Sequence, residues 1–180
     1  MLQSEIIEDL ELRSAEILDW AESLRNTNRT QLTIKPSEAG WSALECIDHL
    51  NRYSDFYLPA FSKAIENAHR KTSDNYRPGW LGNKMATDML PKNGQLKSTM
   101  KTFKSKNPAI DGVNPAALEK FILFQKNIIA ILHKAKSKNL GSTRVATTIP
   151  IIRLKLGDTL QFFVFHQVRH VEQARKAIGK

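Results

Sequence analysis

Between Ser4 and about Arg25, Ile7, Leu10, Ser14, Ile17, Ala21 and Leu24 recur at alternating steps of three and four, the spacing of a seam that one helix turns toward a bundle core. A polar stretch holding Pro36 and Gly40 follows, and then Ser42 with Glu45 three residues on has the spacing of a capping box. The second helix opens there. Leu44, Ile47, Leu50, Tyr53, Tyr57, Phe61 and Ile65 carry it to near His69, with Pro59 removing one backbone donor and kinking it. Residues 71–113 break this regularity with Pro78, Gly79, Gly82, Pro91, Gly94, Pro108 and Gly112, so they read as a long connection with short helical turns around Trp80-Leu81 and Met85 to Leu90. Asn114 as cap and Pro115 as first helical residue start a third helix, whose inward stripe is Leu118, Phe121, Ile122, Gln125, Ile128, Ile129 and Leu132 and which ends before Gly141. Thr143 to Leu156, β-branched and interrupted by Pro150, suits an extended connection. Asp158 or Thr159 then caps a fourth helix that runs to about Ala177.

Four long amphipathic segments without a sustained alternating pattern predict an all-α fold, a four-helix bundle. The long connection between helices two and three carries topological information. Antiparallel neighbours need only a short loop, whereas a parallel neighbouring pair needs a crossover the length of the bundle. A structureless loop of that length is unusual in a compact domain, so it is expected to carry topology, function or both. At 180 residues the chain suits one domain over 1–180. No internal repeat or low-complexity tract is present.

The apolar stripe of the fourth helix, Leu160, Phe163, His166, His170, Ala174 and Ala177, contains two histidines four residues apart. Residues i and i+4 share a helix face, so both imidazoles can reach one cation held between packed helices, and His49 on the second helix offers a third. Buried imidazoles need partners, and a metal is one. Three protein ligands leave a position open for water or substrate, unlike a closed structural zinc site, and an all-nitrogen set suits zinc or nickel better than magnesium or calcium. Asn51 and Gln125 are polar within apolar stripes, so either could point into a wet cavity.

Charge supplies a competing reading. Residues 1–90 carry 10 Lys/Arg against 14 Asp/Glu, net −4, and residues 91–180 carry 17 against 4, net +13, giving the overall +9. The excess sits at Lys92, Lys97, Lys101, Lys104, Lys106, Lys134, Lys136, Lys138, Arg144, Arg153 and Lys155. A noncatalytic helical module could use this basic half for an acidic partner or nucleic acid. Without interleaved aromatic readout residues, a solvated lysine-rich surface is the simpler account, and nucleic acid is disfavoured. One cysteine, Cys46, gives no disulfide, and the acidic N-terminal stretch lacks the apolar core of a signal peptide, so a cytoplasmic setting is expected, with no membrane span.

Gly40-Trp41-Ser42 with His49-Leu50, and His166 with Arg169-His170 and Gln173, resemble the second-helix and last-helix signatures of the DinB/YfiT-like family. The resemblance spans essentially the whole chain. It implies a four-helix bundle of up-down-down-up topology and one divalent metal held by the positions matched here by His49, His166 and His170. It further implies a metal-dependent hydrolase acting on a small-molecule substrate, or a transferase or isomerase using a low-molecular-weight thiol such as bacillithiol or mycothiol as cofactor. A shared fold hosts unrelated chemistries, so the reaction stays open.

Around this triad, Glu45 could orient His49 or act as a base, but its capping-box position already explains it. Gln173 could bond a ligand or a neighbouring helix, and Arg169 is expected at solvent or on a carboxylate. Trp41, Tyr53 and Trp80 could wall a pocket or simply pack the core. His69 and His133 sit among polar neighbours near helix ends and are set aside as ligands, and Cys46 reads as a small buried hydrophobe. No nucleophile elbow, phosphate-binding glycine loop or HExxH motif occurs. Exposed faces of the bundle would also support a homodimer.

Overall fold

The computed structural model describes residues 1–69, 72–90 and 102–179. Its helices are α1 (Gln3–Ser23), a single turn α2 (Arg29–Leu32), α3 (Ala43–Glu66), α4 (Trp80–Thr87), a second single turn α5 (Pro108–Asp111), α6 (Ala117–Ala135) and α7 (Leu156–Ala177). Two short strands, β1 (Arg144–Ala146) and β2 (Arg153–Lys155), pair antiparallel with Val145 opposite Leu154. The fold is therefore mostly helical, and the extended connection before the last helix is a small hairpin that runs directly into α7.

The long helices α1, α3, α6 and α7 carry the core, with α1 and α3 each packed against both α6 and α7. Along α3 and α6 the partners advance together: Asn51 Nδ2 donates to the Ala117 carbonyl at 2.8 Å, and Lys120 meets Asp55 at 2.9 Å. Along α1 and α6 they run in opposite senses, with Lys126 on Glu22 at 3.0 Å and Lys136 on Glu11 at 2.8 Å. These pairs draw several cations of the basic half onto acidic residues of α1 and α3, so the charge imbalance along the chain is partly cancelled in space. Lys92, Lys97 and Lys101, like Pro91 and Gly94, lie outside the described residues.

Two apolar clusters fill the interior. One gathers Leu10, Tyr57, Phe61, Ile128, Leu132, Leu160 and Phe163; the other gathers Ile17, Trp20, Leu24, Ile47, Leu50, Phe121 and Val171. Burying side chains of this size stabilises the fold by about 1.5–3 kcal/mol each relative to exposure.

Several helix ends differ from the sequence-based expectation. α3 stops at Glu66, short of His69, and it continues through Pro59. Asn114 accepts from Ala116 N at 2.8 Å and Pro115 precedes the helix, so α6 starts at Ala117 and ends at Ala135, well before Gly141. Neither Asp158 nor Thr159 caps α7, because both lie inside its first turn. Asp158 instead clamps the connection onto the bundle: it is buried, accepts from the Tyr76 hydroxyl, and accepts from Gly79 N at 2.9 Å. α4 then approaches so closely that a Cβ on Gly82 would lie 2.5 Å from Asp158 Cβ. This position needs glycine for space rather than for backbone conformation.

Candidate metal centre

Two local structures set the site in register. At the start of α3 the capping box forms in full: Ser42 Oγ accepts from Glu45 N at 3.2 Å, and Glu45 Oε2 accepts from Ser42 N at 2.8 Å. Capping fixes the first turn, and His49 follows two turns later on the face turned toward α7. On α7, His166 and His170 stand one turn apart and face α3. Ring centroids are 4.5 Å apart for His49 and His170, 4.6 Å for His166 and His170, and 5.2 Å for His49 and His166. One nitrogen from each of the three lies within 4.8 Å of the others. His49 and His166 are buried and His170 is partly buried.

Hydrogen bonds behind the rings orient them. His49 Nδ1 lies 2.7 Å from the Lys106 carbonyl, which only accepts, so Nδ1 carries the proton and Nε2 a lone pair. His170 Nδ1 lies 3.0 Å from Gln173 Oε1, which places the His170 lone pair on Nε2 by the same reasoning. His49 Nε2 and His166 Nε2 are 3.2 Å apart, and His166 Nδ1 has no hydrogen-bond partner among the described residues. Burial holds His49 down to about 4 and His170 down to about 3, and it pushes His166 well below the ordinary histidine range. Nearby cations act in the same direction: Arg52 and Lys106 on His49, Arg169 on His166 and His170. The site therefore presents three neutral imidazoles, the protonation state that ligates metal.

The donor set fits a cation. With metal–nitrogen distances of about 2.0–2.1 Å, tetrahedral coordination separates two imidazole nitrogens by about 3.3 Å. The 3.2 Å between His49 and His166 already matches that spacing. Two outward-braced lone pairs and a buried imidazole without a second partner are what a bound divalent ion would satisfy.

Aromatic rings wall the cluster. Trp41 lies 4.8 Å from His49 and stacks on His170 at 5.8 Å; Tyr53 lies 5.0 Å from His49 and 4.7 Å from His166; Phe162 stacks on His166 at 5.8 Å. Trp80, the other aromatic wall suggested by the sequence, is 81% exposed and takes no part. Glu45 is occupied by its cap and by Lys35 at 2.9 Å; burial would raise its pKa, but the bonds from Ser42 and Lys35 bring it below the usual carboxylate range. Cys46 is fully buried, its thiol pushed up to about 12 by burial, and it is not in the histidine cluster. His69 and His133 are exposed. Arg169, expected at solvent or on a carboxylate, is 7% exposed, which removes the first of these.

Lys106 is the residue that sequence reasoning missed. The sequence places it within a lysine-rich surface, yet its carbonyl braces His49 and its ammonium sits 5.5 Å from the Tyr53 ring centroid, where it donates to the Arg52 carbonyl. A backbone carbonyl leaves no signature in side-chain pattern. The length of the connection was the available hint.

No helix among the described residues is long and apolar enough to cross a membrane. Neither a curated protein nor a solved structure matches the chain. A family model described as the DinB superfamily matches residues 10–174, nearly the whole length, and the chain belongs to that superfamily.

Proposed function

We propose that this protein is a metal-dependent enzyme of the DinB superfamily, with His49, His166 and His170 as the ligands of one divalent ion, zinc or nickel. The observation that carries this reading is the convergence of three neutral imidazoles, two braced from behind so that their lone pairs face inward. The direction of the pairings between helices supports an up-down-down-up bundle, with α3 parallel and α1 antiparallel to α6, and Lys106 from the segment between α3 and α6 reaches the site.

A bound divalent ion would supply Lewis acidity at the open position, activating a coordinated water or thiol and polarising an electrophile. The protein's own contribution is to position and to exclude. Lys106 and Gln173 hold two rings in one tautomer, and Trp41, Tyr53 and Phe162 keep bulk water from the cluster. Neutral ligands would not cancel the ion's charge, and Arg169 and Lys106 add positive potential nearby, which supports an anion-forming nucleophile. Hydrolysis by water and transfer of a low-molecular-weight thiol both meet that description, in a cytoplasmic setting and on a small-molecule substrate.

The test is a panel of electrophiles offered to zinc- and nickel-loaded protein with and without small thiols, scored for thiol conjugation and for ester and amide hydrolysis. Turnover lost in His166→Ala, with the helical content unchanged, supports the reading. Equal turnover in wild type and His166→Ala overturns it. Steeply salt-dependent DNA binding, indifferent to the histidines, would instead mark a noncatalytic module.

A further inference from the structure

Each of the four long helices places a buried polar side chain where one apolar cluster gives way to the other. On α1, Ser14 lies between Leu10 of the first cluster and Ile17 of the second; on α3, Asn51 lies between Leu50 of the second and Tyr53 of the first. On α6, Gln125 falls between Ile122 and Ile128, and on α7, Gln167 falls between Val164 and Val171, again at the change from one cluster to the other. Their exposures are 0% for Ser14 and Gln125 and 1% for Asn51 and Gln167. These four residues, one per long helix at the change from one apolar cluster to the other, make up a polar layer.

The layer is not satisfied by the protein. Ser14 Oγ, Asn51 Oδ1 and both polar atoms of Gln125 and of Gln167 have no hydrogen-bond partner among the described residues. Asn51 Nδ2 is the exception, donating to the Ala117 carbonyl at 2.8 Å. The backbone amides of these helices are already bonded to carbonyls within them, so they offer no donor to the unpartnered oxygens. Six buried polar atoms left unpartnered would cost more than a marginally stable domain tolerates.

We infer that this layer is an internal hydration site, in which a small cluster of ordered water molecules bridges Ser14, Asn51, Gln125 and Gln167. Water fits because the layer offers donors and acceptors together: two carboxamide NH2 groups, three amide oxygens and a hydroxyl. A cation would leave the NH2 groups unpartnered, and an anion would leave the amide oxygens so. Asn51 is two residues from His49 and Gln167 is next to His166, so on α3 and α7 the layer lies beside the histidine cluster.

The layer is independent of any metal, and its test uses the metal-free full chain. A near-atomic-resolution crystal structure should show water within hydrogen-bond distance of at least two of the carboxamides. Oxygen-17 relaxation dispersion of the solution should show long-lived internal water whose amplitude falls in Gln125→Leu/Gln167→Leu. Density in which Gln125 and Gln167 bond directly to each other, without water, would overturn the inference even if the double variant fails to fold. So would a relaxation amplitude unchanged in a folded variant.

Discussion

Without metal, three imidazoles kept neutral by burial should make the protein acid-sensitive in a narrow window. His49 and His170 lie at about 4 and about 3, and His166 is held well below its ordinary value of 6.5. In the unfolded chain all three return to about 6.5. A depressed folded pKa contributes stability that is complete above the unfolded value and lost as pH falls toward the folded one. Between about pH 6.5 and about pH 5 the unfolded state gains protons while the folded site gains almost none. His49 and His170 then each cost about 1.6 kcal/mol over that interval, about 3 kcal/mol together, a large share of a domain's whole stability, and His166 acts in the same direction. Most carboxylates titrate lower, so the window isolates the histidines. Urea denaturation with a chelator present, repeated across this interval, measures the slope. The triple variant His49→Gln/His166→Gln/His170→Gln should lose most of it. A wild-type stability flat over the window, or a slope that survives in the triple variant, would refute the claim that these rings are buried and neutral together.

Gln173→Leu removes the acceptor that fixes the His170 ring and should weaken metal affinity by about 10-fold or more with little change in unfolding midpoint, as followed by competition with a chromophoric chelator. Tyr76→Phe deletes the hydroxyl donated to buried Asp158 and should destabilise the fold by about 1.5–3 kcal/mol in urea titration; a change within experimental error would show that the clamp contributes nothing. Gly82→Ala places a methyl against Asp158 and should cost about 1–3 kcal/mol by the same assay, since both atoms belong to helices that cannot easily separate.

The sequence carried the long helices because their inward stripes repeat with the helical period, and it carried the triad because two histidines sat on such a stripe. His49 lay on another, and all three meet where those stripes face each other. Glu45 was legible as a cap for the same local reason. What escaped was non-local. Asp158 reads as a helix cap in isolation, and only the fold brings Tyr76 and Gly79 to it from across the connection. Lys106 contributes through its carbonyl, which every residue possesses, so its identity gave no sign. Trp80 lies at the surface rather than in a wall or the core, since it sits on no stripe that decides its side, and Arg169 is buried rather than at solvent. Asn51 and Gln125 were visible as polar breaks in apolar stripes, but their alignment with Ser14 and Gln167 needed all four helices in place.

Elemental analysis of tag-free protein, before and after reconstitution with zinc or nickel, tests the central claim most directly when compared with a His49→Ala/His166→Ala/His170→Ala variant of unchanged helical content. The account expects close to one divalent ion per chain in the wild type and essentially none in the variant. No metal in reconstituted wild type, or equal metal in both proteins, would contradict it.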